Sequence, residues 1–342
     1  MEQRPTMTDL AARLGVSPST VSRALRNDSR ISVALREKVK AAAEESGYLP
    51  NPMVSALMAT RRKGGAGEVD TVALVTDYHG AQGWQEKDVC CWEYEGVLQR
   101  ATELGFRLEI FALQDYGNDT ARLEKTLFAR GIRGVLLGFS RGGERRGMLS
   151  PKHFAIAGLS AYFRDVVVDR ANFHGMFNVR LALEHMVAKG YRRTGLIAPE
   201  FNNRISGYQW SGSFLDFQRQ LDPGRRCTPF LHGDGDFARE FAAWLKAEKP
   251  DSLLVYKTAV RQLLSKAGLR IPQDLGVAYL FRTADEMDAA AGIDGNLRAV
   301  GAAAFDLVVE RLTTNRRGVP QDPKEVLIKG RWQDGPTLPA KT

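Results

Sequence analysis

Apolar residues recur every three or four positions in three short stretches near the N-terminus, and this spacing predicts three amphipathic helices. Each stretch opens on a Ser or Thr whose side-chain oxygen can accept hydrogen bonds from free backbone N–H groups at a helix start. Glycines can adopt the left-handed conformation that ends a helix. The predicted helices begin at Thr6, at Ser17 with Pro18, and at Ser32, and the first and third end at Gly15 and Gly47.

The second predicted helix has two chemically different sides. Val21, Ala24 and Leu25 are spaced to form its buried side. The opposite side carries short hydroxyl groups and forked cations, namely Ser19, Thr20, Ser22, Arg23 and Arg26. The tight turn after the first helix makes the pair resemble a helix-turn-helix. Such side chains suit the base edges and phosphates of a DNA major groove, and a merely solvated polar face is the simpler alternative.

A shorter helix pattern follows a Pro-Asn-Pro break at 50–52. Asn51 can cap it, and the apolar run 53–59 makes only about two turns, which is too short to be stable in water alone. The basic linker 61–67 comes next. An exposed Leu57 between the predicted reading module and this linker would suit a wedge inserted at a minor-groove base step.

Beyond the linker, apolar runs of strand length alternate with helical patterns, which is typical of parallel strands joined by helical crossovers. The predicted strands cover 71–76, 106–113, 134–139, 154–159, 166–168, 194–199, 228–231, 252–256, 276–281 and 325–328. The predicted helices cover 94–104, 118–130, 176–189, 207–221, 237–247, 258–267 and 300–313. Because the scheme restarts after residue 165, it predicts two lobes, with a ligand cleft at the carboxyl ends of the strands.

The predicted fold is therefore a two-lobed α/β domain of doubly wound parallel sheets, preceded by an all-α helix-turn-helix headpiece. The predicted boundaries are 1–50 for the headpiece, 51–67 for the hinge helix and linker, and 68–342 for the two-lobed domain. Within that domain, the first lobe is predicted to take about 68–165 and 297–322, and the second about 166–296 and 323–335.

Composition narrows the classes of function. The chain carries a net charge of +8, and residues 1–63 hold eleven Lys or Arg against six Asp or Glu, which suggests a polyanionic partner. No apolar run approaches the roughly 18 residues of a membrane span, and the N-terminus lacks a signal-peptide core, so we expect a cytoplasmic protein. Its three cysteines lack disulfide and zinc spacing and are expected to be reduced thiols.

The headpiece resembles that of the lactose-repressor (LacI) family of bacterial transcription regulators. The similarity lies in DLAARLGVSPSTVSRAL, in REKVKAAAEESGYLPN and in the hinge pattern that follows. By position, the resemblance implies base contacts from Pro18, Ser19 and Arg23. It also implies that Leu57 is an intercalating hinge leucine, and that a second set of residues contacts phosphates or the groove wall: Ser17, Thr20, Ser22, Ser32, Tyr48 and Asn51. Thr6, which caps the first predicted helix, is added to these candidate DNA-binding residues. Pro18 and Ser19 replace longer readers found in some members, so the operator sequence is not implied.

The remaining chain resembles the family's effector domain, which is built like periplasmic sugar-binding proteins. The matching stretches are LALEHMVAKGYRRTGLIAP, GLRIPQDLGVAYL and AVGAAAFDLVVERL. The candidate effector-binding residues follow either from the resemblance or from their place in the predicted two-lobed fold. They are Asp77, Tyr78, Phe173, Arg204, Phe237, Tyr256, Lys257, Asp294 and Asn296. Simpler alternatives are a surface ion pair for Arg204, plain core for the two Phe, and turn formation for the Asp and Asn residues. The family usually has Asn-Asp where this chain has Tyr256-Lys257. The effector could therefore be an acid or another metabolite instead of the usual sugar.

A search for catalytic motifs finds none. The five histidines lack metal-ligand spacing, and there is no GxSxG elbow, Walker loop or GxGxxG after the first predicted strand. We therefore expect no enzyme, no metal and no cofactor. The resemblance implies a homodimeric regulator, most simply a repressor of a catabolic operon, that binds a pseudo-palindromic operator and a carbohydrate effector. The alternatives are a solute-binding or sensor module without operator-specific DNA binding, and an enzyme built on the two-lobed scaffold.

Overall fold

The computed structural model describes residues 7–25, 31–46, 70–78, 83–85, 88–140, 149, 151–160, 166–233, 235–256, 264–265, 267–282 and 290–341. The chain divides into two compact units, Met1–Gly67 and Glu68–Thr342. Among the residues in these ranges, no helix is long and apolar enough to cross a membrane.

The N-terminal unit contains three helices, as the sequence predicts. They are α1 (Met7–Leu14), α2 (Pro18–Leu25) and α3 (Val33–Ser46). Ser17 Oγ accepts from the N–H of Thr20 at 3.2 Å, and Ser32 Oγ accepts from the N–H of Leu35 at 3.3 Å, so both predicted caps are confirmed. Gly15 has φ +65°, which is the left-handed end predicted for α1. Thr6 and Gly47 lie outside the described residues.

An apolar core holds the three helices together. Its buried members are Leu10 and Ala11 of α1, Val21 and Ala24 of α2, and Val39 and Ala43 of α3. Leu25 packs against this core, so all three residues predicted for the inner side of α2 face it. Because Val21 and Ala24 have no exposed surface, the orientation of α2 about its own axis is fixed.

The C-terminal unit alternates strands and helices. Its described α-helices are α4 (Asp88–Leu104), α5 (Thr120–Ala129), α6 (Gly175–Ala188), α7 (Glu200–Ile205), α8 (Gln209–Arg219), α9 (Phe237–Glu248) and α10 (Leu297–Thr313). The first six strands are β1 (Thr71–Thr76), β2 (Arg107–Ala112), β3 (Gly134–Leu137), β4 (Ala155–Leu159), β5 (Asp169–Phe173) and β6 (Thr194–Pro199). The other six are β7 (Phe230–His232), β8 (Ser252–Val255), β9 (Gly276–Tyr279), β10 (Ala291–Asp294), β11 (Glu325–Ile328) and β12 (Arg331–Gln333).

These strands form two six-stranded sheets. The first has the order β11-β5-β4-β3-β1-β2 and the second the order β12-β10-β9-β8-β6-β7. All pairs are parallel except β10 with β12, which is antiparallel. The predicted pair of doubly wound parallel sheets is therefore confirmed. The first sheet with α4, α5 and α10 is here called the first lobe, and the second sheet with α6 to α9 the second lobe.

The chain divides between the lobes differently from the prediction. The predicted strand 166–168 is wrong, because the strand is β5, and β5 pairs with β4 in the first sheet rather than opening the second lobe. β11, which was assigned to the second lobe, pairs with β5 in the first sheet. The chain thus passes between the lobes three times, after β5, after β10 and after β11.

Two further predictions need correction. The single helix predicted over 207–221 is interrupted, because Gly207 and Tyr208 both have positive φ, at 75° and 60°, and separate α7 from α8. Strands β10 and β12, of four and three residues, were not predicted. Most of the predicted helix 258–267 falls outside the described residues.

Candidate functional site

The outward side of α2 presents a cation. Arg23 is exposed, whereas its neighbours Val21 and Ala24 are fully buried in the core of the headpiece. Thr20, one turn earlier, is half-buried. Because the core fixes the rotation of α2, Arg23 leaves the helix on its exposed side, away from the buried Val21 and Ala24.

Ser17 and Ser32 are exposed residues at the starts of α2 and α3. Helix N-termini carry free N–H groups and a partial positive charge, so they attract phosphate oxygens. The Ser17 hydroxyl also lies 2.9 Å from the Thr20 hydroxyl. These two capping serines therefore hold α2 and α3 in place and lie where a DNA backbone oxygen could be bound.

Several other predicted DNA contacts cannot be placed. Thr6, Tyr48, Asn51 and Leu57 lie outside the described residues. Pro18, Ser19 and Ser22 belong to α2, and the structure describes only their backbones.

Ser17→Asp separates the capping role of Ser17 from its predicted phosphate contact. Asp caps a helix as well as Ser does, so the thermal unfolding temperature of the headpiece is expected to stay within about 2 °C of wild type. The added negative charge should repel a phosphate and lower the affinity for any DNA by about tenfold. Calorimetry and fluorescence anisotropy measure the two effects. Ser17→Asp binding DNA as tightly as Ser17→Asn would remove Ser17 from the DNA-facing surface.

In the first lobe, polar groups lie at the carboxyl ends of several strands. Asp77 follows β1, and its Oδ2 accepts a hydrogen bond from Ser140 Oγ at 2.6 Å. Its backbone carbonyl accepts from Gln114 Nε2 at 2.7 Å, and its N–H donates to the carbonyl of Phe139 at 3.3 Å. Tyr78 is half-buried beside it. Asp77 thus joins the ends of β1, β2 and β3 and keeps a partly exposed carboxylate at this edge.

Tyr256 of the second lobe faces the first lobe. It follows β8, and its hydroxyl accepts from Asn202 Nδ2 at 3.1 Å. Burial raises the pKa of Tyr256 well above its usual value, and nearby Cys90, Glu93 and Tyr78 raise it further. Those three residues belong to the first lobe or its strand ends, so the phenol stands at the cleft between the lobes. Glu93 itself is fully buried and accepts a hydrogen bond from the Ser160 hydroxyl.

Four aromatic rings meet at this cleft and are here called the four-ring cluster: Phe173, Trp210, Tyr256 and Phe281. Trp210 lies 4.8 Å from Tyr256 between ring centroids, and Phe281 lies 4.9 Å from Phe173. Phe173 ends β5 of the first sheet, whereas the other three belong to the second lobe. The cluster therefore joins the two lobes, and Phe173 and Tyr256 of the predicted site are brought together in it.

The other predicted effector residues do not belong to the four-ring cluster. Arg204 is exposed on α7, with its guanidinium carbon 5.8 Å from the ring centroid of Phe201. Phe237 is half-buried and packs against Phe230 and Phe241 of the apolar core of the second lobe.

Asp294 and Asn296 form a turn. The Asp294 Oδ1 accepts from the N–H of Asn296 at 2.9 Å, and Asn296 has φ 52° before α10. This arrangement corresponds to the turn-forming alternative, at the point where the chain crosses from the second lobe to the first. Lys257 lies outside the described residues.

Three residues near the cleft escaped the sequence-based selection. Trp210 and Phe281 complete the four-ring cluster, and Arg282 follows Phe281 with only 6% of its surface exposed. Phe281 and Arg282 could have been selected from the sequence, because Phe281 ends the predicted strand 276–281 and Arg282 follows it. Cleft residues belong at such a strand end. Trp210 lies inside a helix pattern, and nothing in its spacing distinguishes it from a core residue.

The chemistry of the described residues contains no metal site. Among the described residues, no group of three or more His, Cys, Asp and Glu could hold a metal ion. Cys90, Cys91 and Cys227 are free thiols, as expected, and burial raises the pKa of Cys227 to about 11. His185 stacks on Trp332 at 4.7 Å, which is a structural contact.

Comparisons with known proteins agree with both units. Residues 6–51 match the model of bacterial regulatory proteins of the lacI family, and residues 183–337 match a periplasmic binding protein-like domain. The HTH-type transcriptional regulator CelR of Thermobifida fusca is 27% identical over 80% of this chain and 81% of its own length. The regulator GntR of Escherichia coli K12 is 54% identical over 50 residues, which are 15% of each chain.

Solved structures show the same architecture. The lac repressor dimer bound to operator and an anti-inducer aligns with a TM-score of 0.56 at 17% identity, covering 99% of this chain and 100% of its own. A CelR-cellobiose complex aligns with a TM-score of 0.54 at 19% identity, covering 98% and 100%. These likenesses establish the fold, and the family models identify a domain in each unit. The chain therefore carries a helix-turn-helix domain of the lacI family of bacterial regulatory proteins, followed by a periplasmic binding protein-like domain, and LacI-family regulators are among its relatives.

Proposed function

We propose that the protein is a homodimeric repressor that binds a pseudo-palindromic operator and is controlled by a small molecule bound between its two lobes. The observation that carries the proposal is the outward side of α2, where Arg23 stands exposed on a helix whose rotation is fixed by Val21 and Ala24. Two such helices in a dimer would enter successive major grooves, which requires two half-sites with matching symmetry.

The hinge pattern supplies the proposed link between ligand and DNA. Residues 51–59 would form a helix only when paired with the same segment of a second protomer, and Leu57 would then wedge open a base step and bend the duplex. A ligand that favours one arrangement of the lobes would shift the hinge between ordered and frayed states, which changes operator affinity. This coupling follows from differential binding of the ligand to the two arrangements.

The cleft supports a small-molecule ligand in the second unit. Asp77 and Tyr78 lie at the carboxyl edge of the first sheet, and Tyr256 faces them from the second lobe. Carboxylates bind hydroxyl groups, and aromatic rings pack on the CH faces of sugar rings. A sugar or sugar derivative, as in the CelR-cellobiose complex, is therefore the general class of effector, and a catabolic operon is the corresponding target.

Fluorescence anisotropy with duplexes from the gene's own promoter region tests the proposal. At fixed moderate salt, the full-length protein is expected to bind one of these duplexes at least 1,000-fold more tightly than random sequence. Footprinting should then show two protected half-sites related by a two-fold axis. Equal affinity for promoter-derived and random duplexes, with and without a panel of sugars and sugar acids, would instead favour a sensor module without operator-specific binding.

A further inference from the structure

One buried arginine in the C-terminal unit lacks the partners that the others have. Arg170, Arg282 and Arg311 are 8%, 6% and 4% exposed. The Arg170 Nη1 donates to the carbonyl of Ser160 at 2.9 Å, and the Arg311 Nη1 donates to Asp169 Oδ2 at 3.0 Å. Among the described residues, no acceptor is hydrogen-bonded to the Arg282 guanidinium, and its Nε is fully enclosed.

Arg282 lies at the edge of the second sheet where the cleft opens. It comes three residues after the end of β9, and its backbone N–H donates to the carbonyl of Ile293 at 3.4 Å, near the carboxyl end of β10. Its chain neighbour Phe281 belongs to the four-ring cluster, 5.5 Å from Tyr256 and 6.0 Å from Trp210. Arg282 therefore follows a member of the four-ring cluster directly in the chain, at the same end of the second sheet.

An enclosed guanidinium without a counter-charge is unfavourable, because it has lost most of its water and gained no acceptor in return. Proteins remove such a cost by pairing, as Asp169 does for Arg311. The planar fork of arginine matches two oxygens of a carboxylate or phosphate better than it matches an uncharged hydroxyl. A carboxylate or phosphate of a ligand would therefore supply the negatively charged hydrogen-bond acceptor that the described protein groups do not give to Arg282.

We infer that the effector is an anionic metabolite: one carboxylate or phosphate binds Arg282, and the ring or CH face of the same molecule packs against the four-ring cluster. This inference rests on the proposed function, because it takes the cleft as the effector site, and it narrows the effector from sugars in general to acids. A neutral sugar would leave the guanidinium unpaired and is expected to bind weakly.

The first experiment compares ligand-free thermal unfolding of the full-length protein. Arg282→Met removes the unpaired charge at similar volume, so the unfolding temperature should rise by about 2–4 °C. Arg311→Met is the matched control at an equally buried position, and it should lower the unfolding temperature because it leaves Asp169 unpaired. A fall for Arg282→Met comparable to that for Arg311→Met would show that the Arg282 guanidinium is already paired, and would overturn the inference.

The second experiment uses ligand pairs that differ in charge at constant ionic strength. The probes are glucuronate against glucose, benzoate against benzyl alcohol, and glucose 6-phosphate for the phosphate arm. In isothermal titration, at least one anion should bind wild type tenfold or more tightly than its neutral counterpart. Arg282→Met should remove that advantage, whereas Arg180→Met, an exposed arginine paired with Glu184 at 2.9 Å, should keep it.

Equal binding of the neutral compounds, or no anion that binds wild type more tightly than Arg282→Met, would overturn the inference. Neither result bears on DNA binding, which the promoter-duplex titration measures separately in the absence of ligand. Loss of operator preference with retained anion binding would instead defeat the proposed regulator and leave the anion site in place. Comparing the carboxylate and phosphate arms shows which oxyanion the cleft accepts.

Discussion

Arg23→Ala is expected to weaken binding to the proposed operator by about 1–3 kcal/mol per half-site, while the headpiece keeps its stability. The side chain is exposed on the outer side of α2, so removing it leaves no cavity in the core. In a dimer both half-sites lose the contact, and the operator affinity should fall by at least 25-fold in roughly additive fashion. Anisotropy titration at fixed salt measures the loss, and circular dichroism checks the fold.

A matched control and a conservative variant sharpen this prediction. Arg13 is also exposed, but its guanidinium is paired with Glu45 Oε2 at 2.8 Å, so Arg13→Ala should change operator affinity little. Arg23→Lys keeps the positive charge but removes the planar guanidinium that can donate two parallel hydrogen bonds. It should therefore retain a contact with phosphate and abolish a bidentate contact with a base. Equal losses for Arg13→Ala and Arg23→Ala would mean that only overall charge matters, and Arg23 would not lie on the reading surface.

The headpiece could be predicted closely because its signals are local. Ser17, Ser32 and Gly15 each act on N–H or carbonyl groups within a few residues, so the sequence specifies where α1 ends and where α2 and α3 begin. The inner side of α2 follows from helical periodicity alone. Local chemistry and the packed structure agree here, which is why the three helices begin, and α1 and α3 end, within a residue or two of the predicted positions.

β5 could not be predicted, because its partners are distant in sequence. The apolar run at 166–168 resembles a strand, yet the strand consists of the next five residues, among them Asp169, Arg170 and Asn172. Their polar groups are buried because Arg311 pairs with Asp169 and Glu325 accepts from Asn172 Nδ2 at 3.3 Å. Without knowledge of those contacts, a polar stretch is assigned to the surface, and the first lobe was predicted to end too early.

The cleft illustrates the same limit for a site. Position after a strand was enough to select Asp77 and Tyr78, since the carboxyl ends of parallel strands meet at one edge. Tyr256 was selected because it stands where the family usually has Asn-Asp. The four-ring cluster joins residues from β5, α8 and the ends of β8 and β9, and no local pattern connects them. Resemblance to the family selected Arg204 and Phe237 as further site residues. Arg204 is exposed on α7, directly after β6, and neither residue belongs to the four-ring cluster.

Trp210→Ala is expected to destabilise the C-terminal unit by about 3–5 kcal/mol, the largest effect on stability among the changes considered. The side chain is 3% exposed, and its ring contacts Tyr256, Phe281 and Phe173 at centroid distances of 4.8, 6.0 and 6.2 Å. Trp332→Ala is the matched control, because Trp332 is half-buried and stacks on His185 within the second lobe. Its loss should cost less than about 2 kcal/mol, since a half-exposed ring leaves no closed cavity.

The same variant should also separate the unfolding of the two lobes, because Trp210 contacts Phe173 of the first sheet from a helix of the second lobe. Scanning calorimetry is expected to show one transition of the C-terminal unit for wild type and for Trp332→Ala, and two for Trp210→Ala. Trp210→Phe keeps a ring in the cluster and should restore the single transition. A single transition in Trp210→Ala, shifted no further than in Trp332→Ala, would show that the lobes are held together elsewhere. Allosteric control would then have to act through the chain crossings after β5, β10 and β11 rather than through the rings at the cleft.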